Sequence, residues 1–367
     1  MIISIKYRML PWFVFLLLAT HSLLGQIPTG YYSNAAGKRS ADLKTALFTI
    51  VRPHNQIEYY SSSIYFTNTD WHSPTADAPE GYFWDMYSTQ KRTSWYGMNR
   101  EHSLPKSWWS DAPETTVAYT DLHNLYPSDA AANTAKSNYP LGVVVGAADF
   151  NNFVKVGQNG FRVTVNGTTL NYSGKVFEPA DEYKGDFARD YMYVVTCYQD
   201  YANNWRSLGV QSMLINGSTY PVFKEWAIAL LLKWHRDDPV SDKEIQRNNA
   251  VYAIQNNRNP YIDHPELAEF IWGKYKGKVW TDDGVLPEED VNFDVQVYPD
   301  MRRLKVMLSD LKNASYVVRN LYGHVVLSGS FDAEGVLDFS SNPAGMYLLE
   351  VFASNNQHYI RKIIAGN

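Results

Sequence analysis

The sequence predicts an α+β protein in which a strand–strand–helix unit sits among further helices and a small all-β sandwich follows. Three observations predict it. Polar clusters at residues 99–107, 120–127 and 133–138 fall in turn on a predicted strand, strand and helix. Helical patterns with capping signals then cover much of residues 186–256. From residue 291 short alternating strands with turns replace them.

In chain order, Lys6 and Arg8 precede an apolar run from Met9 to Leu24, broken by Pro11 and His21 and followed by Gly25. A charged start, a short apolar middle and a small-residue end predict a signal peptide over residues 1–25. A bilayer span needs about 20 predominantly apolar residues, and no later stretch offers them. The first domain is then 26–285, an acidic linker 286–291, and the second domain 292–367.

Ser40-Ala41-Asp42-Leu43 opens a helix running towards Val51. The aromatic run Tyr82 to Tyr87 reads as a strand, Gly97 to His102 as the end of another, and Thr120 to Leu125 as a short extended stretch. Pro127-Ser128-Asp129 reads as a helix start, with proline in the first turn. Ala130 to Asn138 continues it, so Asn133 and Lys136, three apart, share a face. Gly142 to Gly146 and Phe161 to Val165 read as strands, the latter closed by a turn at Asn166-Gly167. Asp186 reads as the cap of the next helix. Residues 223–235 carry an apolar face, and Ser241-Asp242-Lys243-Glu244 is a capping box opening a helix to Asn256. Strands are predicted near 294–299, 304–308, 315–319, 324–327, 345–351 and 359–364.

The 367 residues suffice for two domains with real cores. A single cysteine, Cys197, excludes an intrachain disulfide, and its apolar neighbours predict a buried, inert thiol. The formal net charge is −5, and removal of residues 1–25 makes it −7. Residues 291–367 hold seven acids and seven Lys/Arg, so the surplus belongs to the first domain and linker. An acidic protein acting on a polyanion must concentrate its cations locally.

The clusters do this. Arg100-Glu101-His102 with Lys106 places a carboxylate and an imidazole between two cations. Asp121, His123 and Asn124 follow, then Asn133 and Lys136. Together they supply a base, oxygen ligands for a hard cation, and cations for an anion. His102 is the predicted general base, since an ordinary imidazole is neutral near pH 7. On a regular strand Glu101 and His102 point to opposite faces, so the strand's end must bend if both serve one site. Either Asp121 or Asn124 is expected to orient His102 through its other ring nitrogen. His123 is either part of that support or a hydrogen-bonded core histidine. Zinc is disfavoured, because typical zinc sites use thiolates and several histidines.

Asp85-Met86-Tyr87-Ser88, Asn99 to His102 with Pro105-Lys106-Ser107, Thr120 to Leu125, Asn133, Ser137-Asn138, Phe177-Glu178-Pro179, Ala188-Arg189, Trp234-His235, Arg247-Asn248 and Gln255 to Pro260 jointly resemble the bacterial endonuclease I family. Its members are secreted nucleases with a ββα-metal (His-Me) finger. The resemblance implies a metal-dependent, largely sequence-nonspecific endonuclease for DNA and possibly RNA, with 5′-phosphate products. It implies His102 as base, Glu101 and Asn133 as metal ligands, and Arg189 at the scissile phosphate or leaving oxygen. Lys136 is expected on the nucleic-acid backbone, as are Arg100 and Lys106; Arg258 either holds phosphate or ties down its loop. A carboxylate beside a neutral amide suits Mg²⁺, with Ca²⁺ or Mn²⁺ as alternatives. Glu178 either serves the site or pairs an arginine.

The tail, through Val297-Tyr298-Pro299, Leu321-Tyr322-Gly323, Pro343 to Tyr347 and Arg361 to Ile364, resembles the C-terminal sorting domain of type IX secretion cargo. It implies transit across the outer membrane to the cell surface or medium, with the secretion machinery as partner and removal of the tail as an option; a monomer is expected separately. The rival expectations are an extracellular ribonuclease with little action on DNA, and a non-catalytic surface protein binding nucleic acid on the same scaffold.

Overall fold

The computed structural model describes residues 27–283, 286, 293–297, 302–308, 314–332, 334–352 and 358–366. The predicted signal peptide and all of the predicted linker but Leu286 lie outside them. The chain divides into two compact units at Leu286.

In the first unit the amphipathic helix α1 (Ser40–Val51) buries Leu43, Leu47 and Val51. A shorter helix, α2 (Ser62–Thr69), leads to a two-residue pairing of β1 (Trp71–His72) with β2 (Tyr82–Phe83). The strand predicted through Tyr87 stops at Phe83 for a local reason. Asp85 accepts hydrogen bonds from the Tyr87 N–H (2.8 Å) and the Ser88 hydroxyl (2.7 Å), which fold the chain into a turn.

Strand β3 (Met98–His102) pairs antiparallel with β4 (Leu125–Asp129), placing Glu101 opposite Tyr126 and His102 opposite Leu125. Helix α3 (Ala130–Lys136) follows without a break. Two expectations shift here. The second strand lies at 125–129, because Val117–Thr120 coils into a 3-10 turn. Pro127 belongs to that strand and not to the helix start, which a two-stranded sheet permits because each strand has a free edge. The helix is capped by Asp129, whose Oδ1 accepts from the N–H groups of Ala131 and Ala132, both at 2.9 Å. It ends at Lys136, one residue before Ser137 enters the left-handed region at φ 49°.

Next come β5 (Phe150–Asn152), β6 (Val154–Gln158), β7 (Arg162–Val165), β8 (Thr168–Asn171) and β9 (Lys175–Glu178). The β7–β8 hairpin turns on Asn166 (φ 48°) and Gly167 (φ 78°), the positive pair such a turn requires. Gly142 to Gly146, expected as a strand, makes only an isolated bridge at Val144, with another at Leu141 just before it.

Helix α4 (Lys184–Cys197) is the centre of the unit, with every residue from Gly185 to Cys197 buried. It packs against α1 and against α6 (Glu225–Asp237), with a short α5 (Ser207–Ser212) between α4 and α6 in the chain. Asp186 lies inside its first turn and does not cap it. Helix α7 (Asp242–Gln255) has the predicted capping box, with Glu244 N–H on Ser241 Oγ and Ser241 N–H on Glu244 Oε2. Asn256 closes it at φ 67°. The short α8 (Pro260–Asp263) and α9 (Leu267–Ile271) complete the unit.

In the second unit β10 (Phe293–Val297), β11 (Arg303–Leu308) and β14 (Glu334–Asp338) form one antiparallel sheet. The other has the order β13 (Val325–Phe331), β12 (Ala314–Asn320), β15 (Gly345–Phe352), β16 (His358–Ala365). Leu304, Val306 and Leu337 share a core with Val318, Leu349 and Ile363.

Candidate active site

A cavity of about 370 Å³ opens where β3 ends beside α3. Tyr59, Arg100, Glu101, His102, Lys106 and Asn133 line it, with Pro105, Ser107, Ser137 and Asn138. Glu101 and His102 thus reach one cavity although adjacent on a strand. His102 is the last residue of β3, and the chain turns at once. The turn is held by Asn124, whose Oδ1 accepts from Leu104 N–H (2.8 Å) while its Nδ2 donates to Leu104 O (3.2 Å).

The His102 imidazole is buried at 4% exposure. It lies against Tyr119 and Tyr59 at centroid distances of 5.0 and 6.2 Å, with Trp109 edge-on at 5.8 Å. Burial, aided by the cations Lys106 and Lys136, holds its pKa down at about 3, against the opposing bond to Tyr119. Its Nε2 lies 2.8 Å from the Tyr119 carbonyl oxygen. A carbonyl only accepts, so Nε2 carries the proton and the neutral ring leaves Nδ1 with its lone pair. Nδ1 has no partner among the described residues. The orienting group is therefore the Tyr119 carbonyl, and the expectation for Asp121 or Asn124 is corrected. Asp121 sits deeper, accepting from His123 N–H, Tyr193, Tyr198 and Gln255. Its burial alone raises its pKa, but His54, His123 and these donors hold it at about 2. His123 faces the same core, its Nε2 3.2 Å from the Asn257 carbonyl.

Glu101 Oε1 accepts from Lys136 Nζ at 2.6 Å. Burial raises its carboxyl above the ordinary range while Lys136 opposes that shift. Oε2 carries no hydrogen bond from a described residue. The Asn133 side chain, one helical turn before Lys136, makes none either. Two uncommitted oxygens, one from a carboxylate and one from an amide, therefore share the cavity.

Two predicted phosphate contacts are corrected, and of the two roles weighed for Arg258 the structure supports the tie to its own loop. Lys136 is fully buried and held by Glu101, with a longer bond to His102 O, so it is not available to a nucleic-acid backbone. Arg189 is equally buried, its fork closed on Glu244 at 2.5 and 2.9 Å and its Nη1 on Asp238 O. It lies outside the cavity lining because α4 is the central helix and turns it inward. Arg258 is buried against Asp263, with Asn249 on its Nη2. Arg100 does line the cavity, but its Nε and Nη2 donate to Ser62 Oγ (2.6 Å) and Tyr60 O (2.8 Å). Lys106 is exposed, 5.2 Å over the Tyr119 ring, with no acidic partner among the described residues. Glu178 pairs with Lys184 at 2.9 Å and not with an arginine.

Sequence reasoning missed Tyr59 and Tyr119. The Tyr119 contribution is main-chain, so no side-chain signal announces it. A further cluster, His54, Asp121 and Cys197, has candidate ligand atoms within 4.8 Å of one another. Its carboxylate is already saturated by donors, and burial pushes the Cys197 thiol up, so these atoms form a hydrogen-bonded core.

A neutral imidazole with a bare nitrogen, two free oxygens and an exposed lysine around one open cavity are the groups that a hydrolase for phosphodiesters, a nuclease, requires. The model of the endonuclease I family matches residues 39–266, and the chain belongs to that family. It is 32% identical over 246 residues to an extracellular ribonuclease of Bacillus amyloliquefaciens, covering 66% of this chain and 78% of that one. It is 31% identical over 254 residues to an extracellular ribonuclease of Bacillus subtilis, with the same coverage. Similarity to endonuclease-1 of Buchnera aphidicola is 27% over 143 residues, 39% of this chain and 46% of that one.

Proposed function

We propose that the chain is a secreted, metal-dependent endonuclease with little sequence preference, built on a ββα-metal finger made by β3, β4 and α3. The observation that carries this reading is the commitment of His102 Nε2 to a carbonyl. It leaves Nδ1 as a base in the same cavity as the free oxygens of Glu101 and Asn133. Those oxygens suit a hard divalent cation, Mg²⁺ first and Ca²⁺ or Mn²⁺ next. The ion supplies Lewis-acid stabilisation of phosphoryl charge.

The chain's own residues do the rest. His102 Nδ1 takes a proton from water as its oxygen attacks phosphorus; the P–O3′ bond breaks, the 3′ oxygen takes a proton from solvent, and the phosphate stays on the 5′ oxygen. Lys106, the uncommitted cation, binds the substrate phosphate. Tyr59, Tyr119 and Trp109 shield the imidazole. Burial is the main cause of the low His102 proton affinity, and an arriving phosphate anion opposes the smaller contribution of Lys106 and Lys136. Phosphate contacts carry affinity without base readout, so cleavage is salt-sensitive and sequence-tolerant.

The relatives' names favour RNA as a substrate, and the signal-like leader supports export. The second unit serves as a type IX sorting domain on a monomeric cargo. The test is digestion of RNA and supercoiled plasmid by the full chain, with chelator and then with restored Mg²⁺. Metal-restored cleavage, lost by about 10²-fold or more in His102→Ala, is expected. Binding without cleavage of either polymer would replace this reading with a non-catalytic surface protein.

A further inference from the structure

We propose that Tyr60 is a base-stacking platform beside the cavity, and that the preferred substrate is an unpaired nucleotide strand; this rests on the nuclease reading above. Tyr60 is 83% exposed, and what sets it apart is its place beside the cavity. Its neighbour Tyr59 lines the cavity, and the two rings meet edge-on at 5.5 Å.

The ring is free but its backbone is not. Tyr59–Ser61 forms a 3-10 turn leading into α2. Arg100 grips that turn through Tyr60 O and Ser62 Oγ. Its guanidinium is itself held between the Tyr59 and Trp95 rings, 5.3 Å from each. Arg100 belongs to β3, two residues before His102. The strand that presents Glu101 and His102 thus also fixes where Tyr60 stands, which makes Arg100 a positioning residue. A solvent-facing aromatic ring on a fixed stretch of backbone, next to a phosphate-cleaving cavity, matches the face of a nucleobase. In a duplex that face is covered by its neighbours, and a base must leave the stack to reach a protein ring. A strand whose bases are already free meets Tyr60 without that penalty, whether RNA or DNA.

The test compares the full-length wild type, Tyr60→Ala and Tyr60→Phe on single-stranded oligonucleotides, on the same strands with abasic sites, and on a duplex of the same sequence. Stacking on one aromatic gives about tenfold in affinity. Tyr60→Ala is expected to raise KM about tenfold on intact single strands without lowering kcat, and Tyr60→Phe to restore it. The loss is expected to vanish on abasic strands and on the duplex. Binding of the intact strand under chelator, followed by fluorescence anisotropy, is expected to weaken equally. Unchanged KM and unchanged binding in Tyr60→Ala, or an equal loss on duplex and abasic strands, would overturn the platform. A wild type that binds strands through Tyr60 yet cleaves nothing would leave the platform standing and remove the nuclease reading.

Discussion

Replacing Lys136 by methionine separates the role the structure gives it from the role its position in the sequence suggests. Its Nζ lies 2.6 Å from Glu101 Oε1, and the two side chains are 0% and 11% exposed. At an effective dielectric constant near 20 that separation corresponds to about 6 kcal/mol of attraction, opposed by the desolvation of both ions. Stranding one member of such a pair costs about 3–5 kcal/mol. Lys136→Met is expected to lose that much in urea denaturation. The Glu101 carboxyl, already raised by burial, rises further without its main opposing charge. Less of it is then ionised at neutral pH, so half-maximal activity needs more Mg²⁺ and the activity profile moves to higher pH. The salt dependence of cleavage stays as in the wild type. A lysine on a substrate phosphate behaves otherwise, its loss reducing the slope of log affinity against log salt by about one. The double variant Lys136→Met/Glu101→Gln is expected to regain most of the stability, since no buried charge remains. A wild-type denaturation midpoint in the single variant would refute the ion-pair role. So would a reduced salt slope with an unchanged metal requirement.

Burial holds the imidazoles of His102, His123 and His235 at about 3, 4 and 4, below the ordinary 6.5, so each binds a proton on unfolding. Their stabilisation is full above about pH 6.5 and is lost as pH falls towards 4, by several kcal/mol in order of magnitude. Equal urea midpoints at pH 7.5 and pH 5 would contradict this. Arg189→Ala is expected to cost about 3–5 kcal/mol by stranding Glu244, while protein with native circular dichroism keeps a wild-type kcat. A thousandfold fall in kcat in such protein would return Arg189 to the phosphate.

The backbone plan was largely legible. Helix α1, the capping box of α7 and the β7–β8 turn follow from local rules, since apolar period, cap and positive-φ pair all act within a few residues. Strand β14 was not anticipated. The apolar run at Gly142 to Gly146 misled because apolar composition does not supply a partner strand. At the site, Glu101, His102, Lys106 and Asn133 were named from the sequence, and the structure brings all four to one cavity. The cations were harder. Nothing local distinguishes a lysine that meets solvent from Lys136, because the difference depends on where α3 packs. Arg189 and Arg258 likewise find their acids 55 and 5 residues away in the chain. For Arg189 the reason is that α4 is surrounded on all sides, which turns its arginine into part of the core.

The bond from His102 to Tyr119 has a consequence for variation. The group that fixes the tautomer is a peptide oxygen, which every residue type carries. No point substitution at position 119 deletes it, so a change of side chain there costs ring packing against the imidazole but leaves the proton on Nε2. The vulnerability is moved to shape: an insertion or a proline that deforms the Val117–Thr120 turn would disarm the imidazole without altering a single site residue.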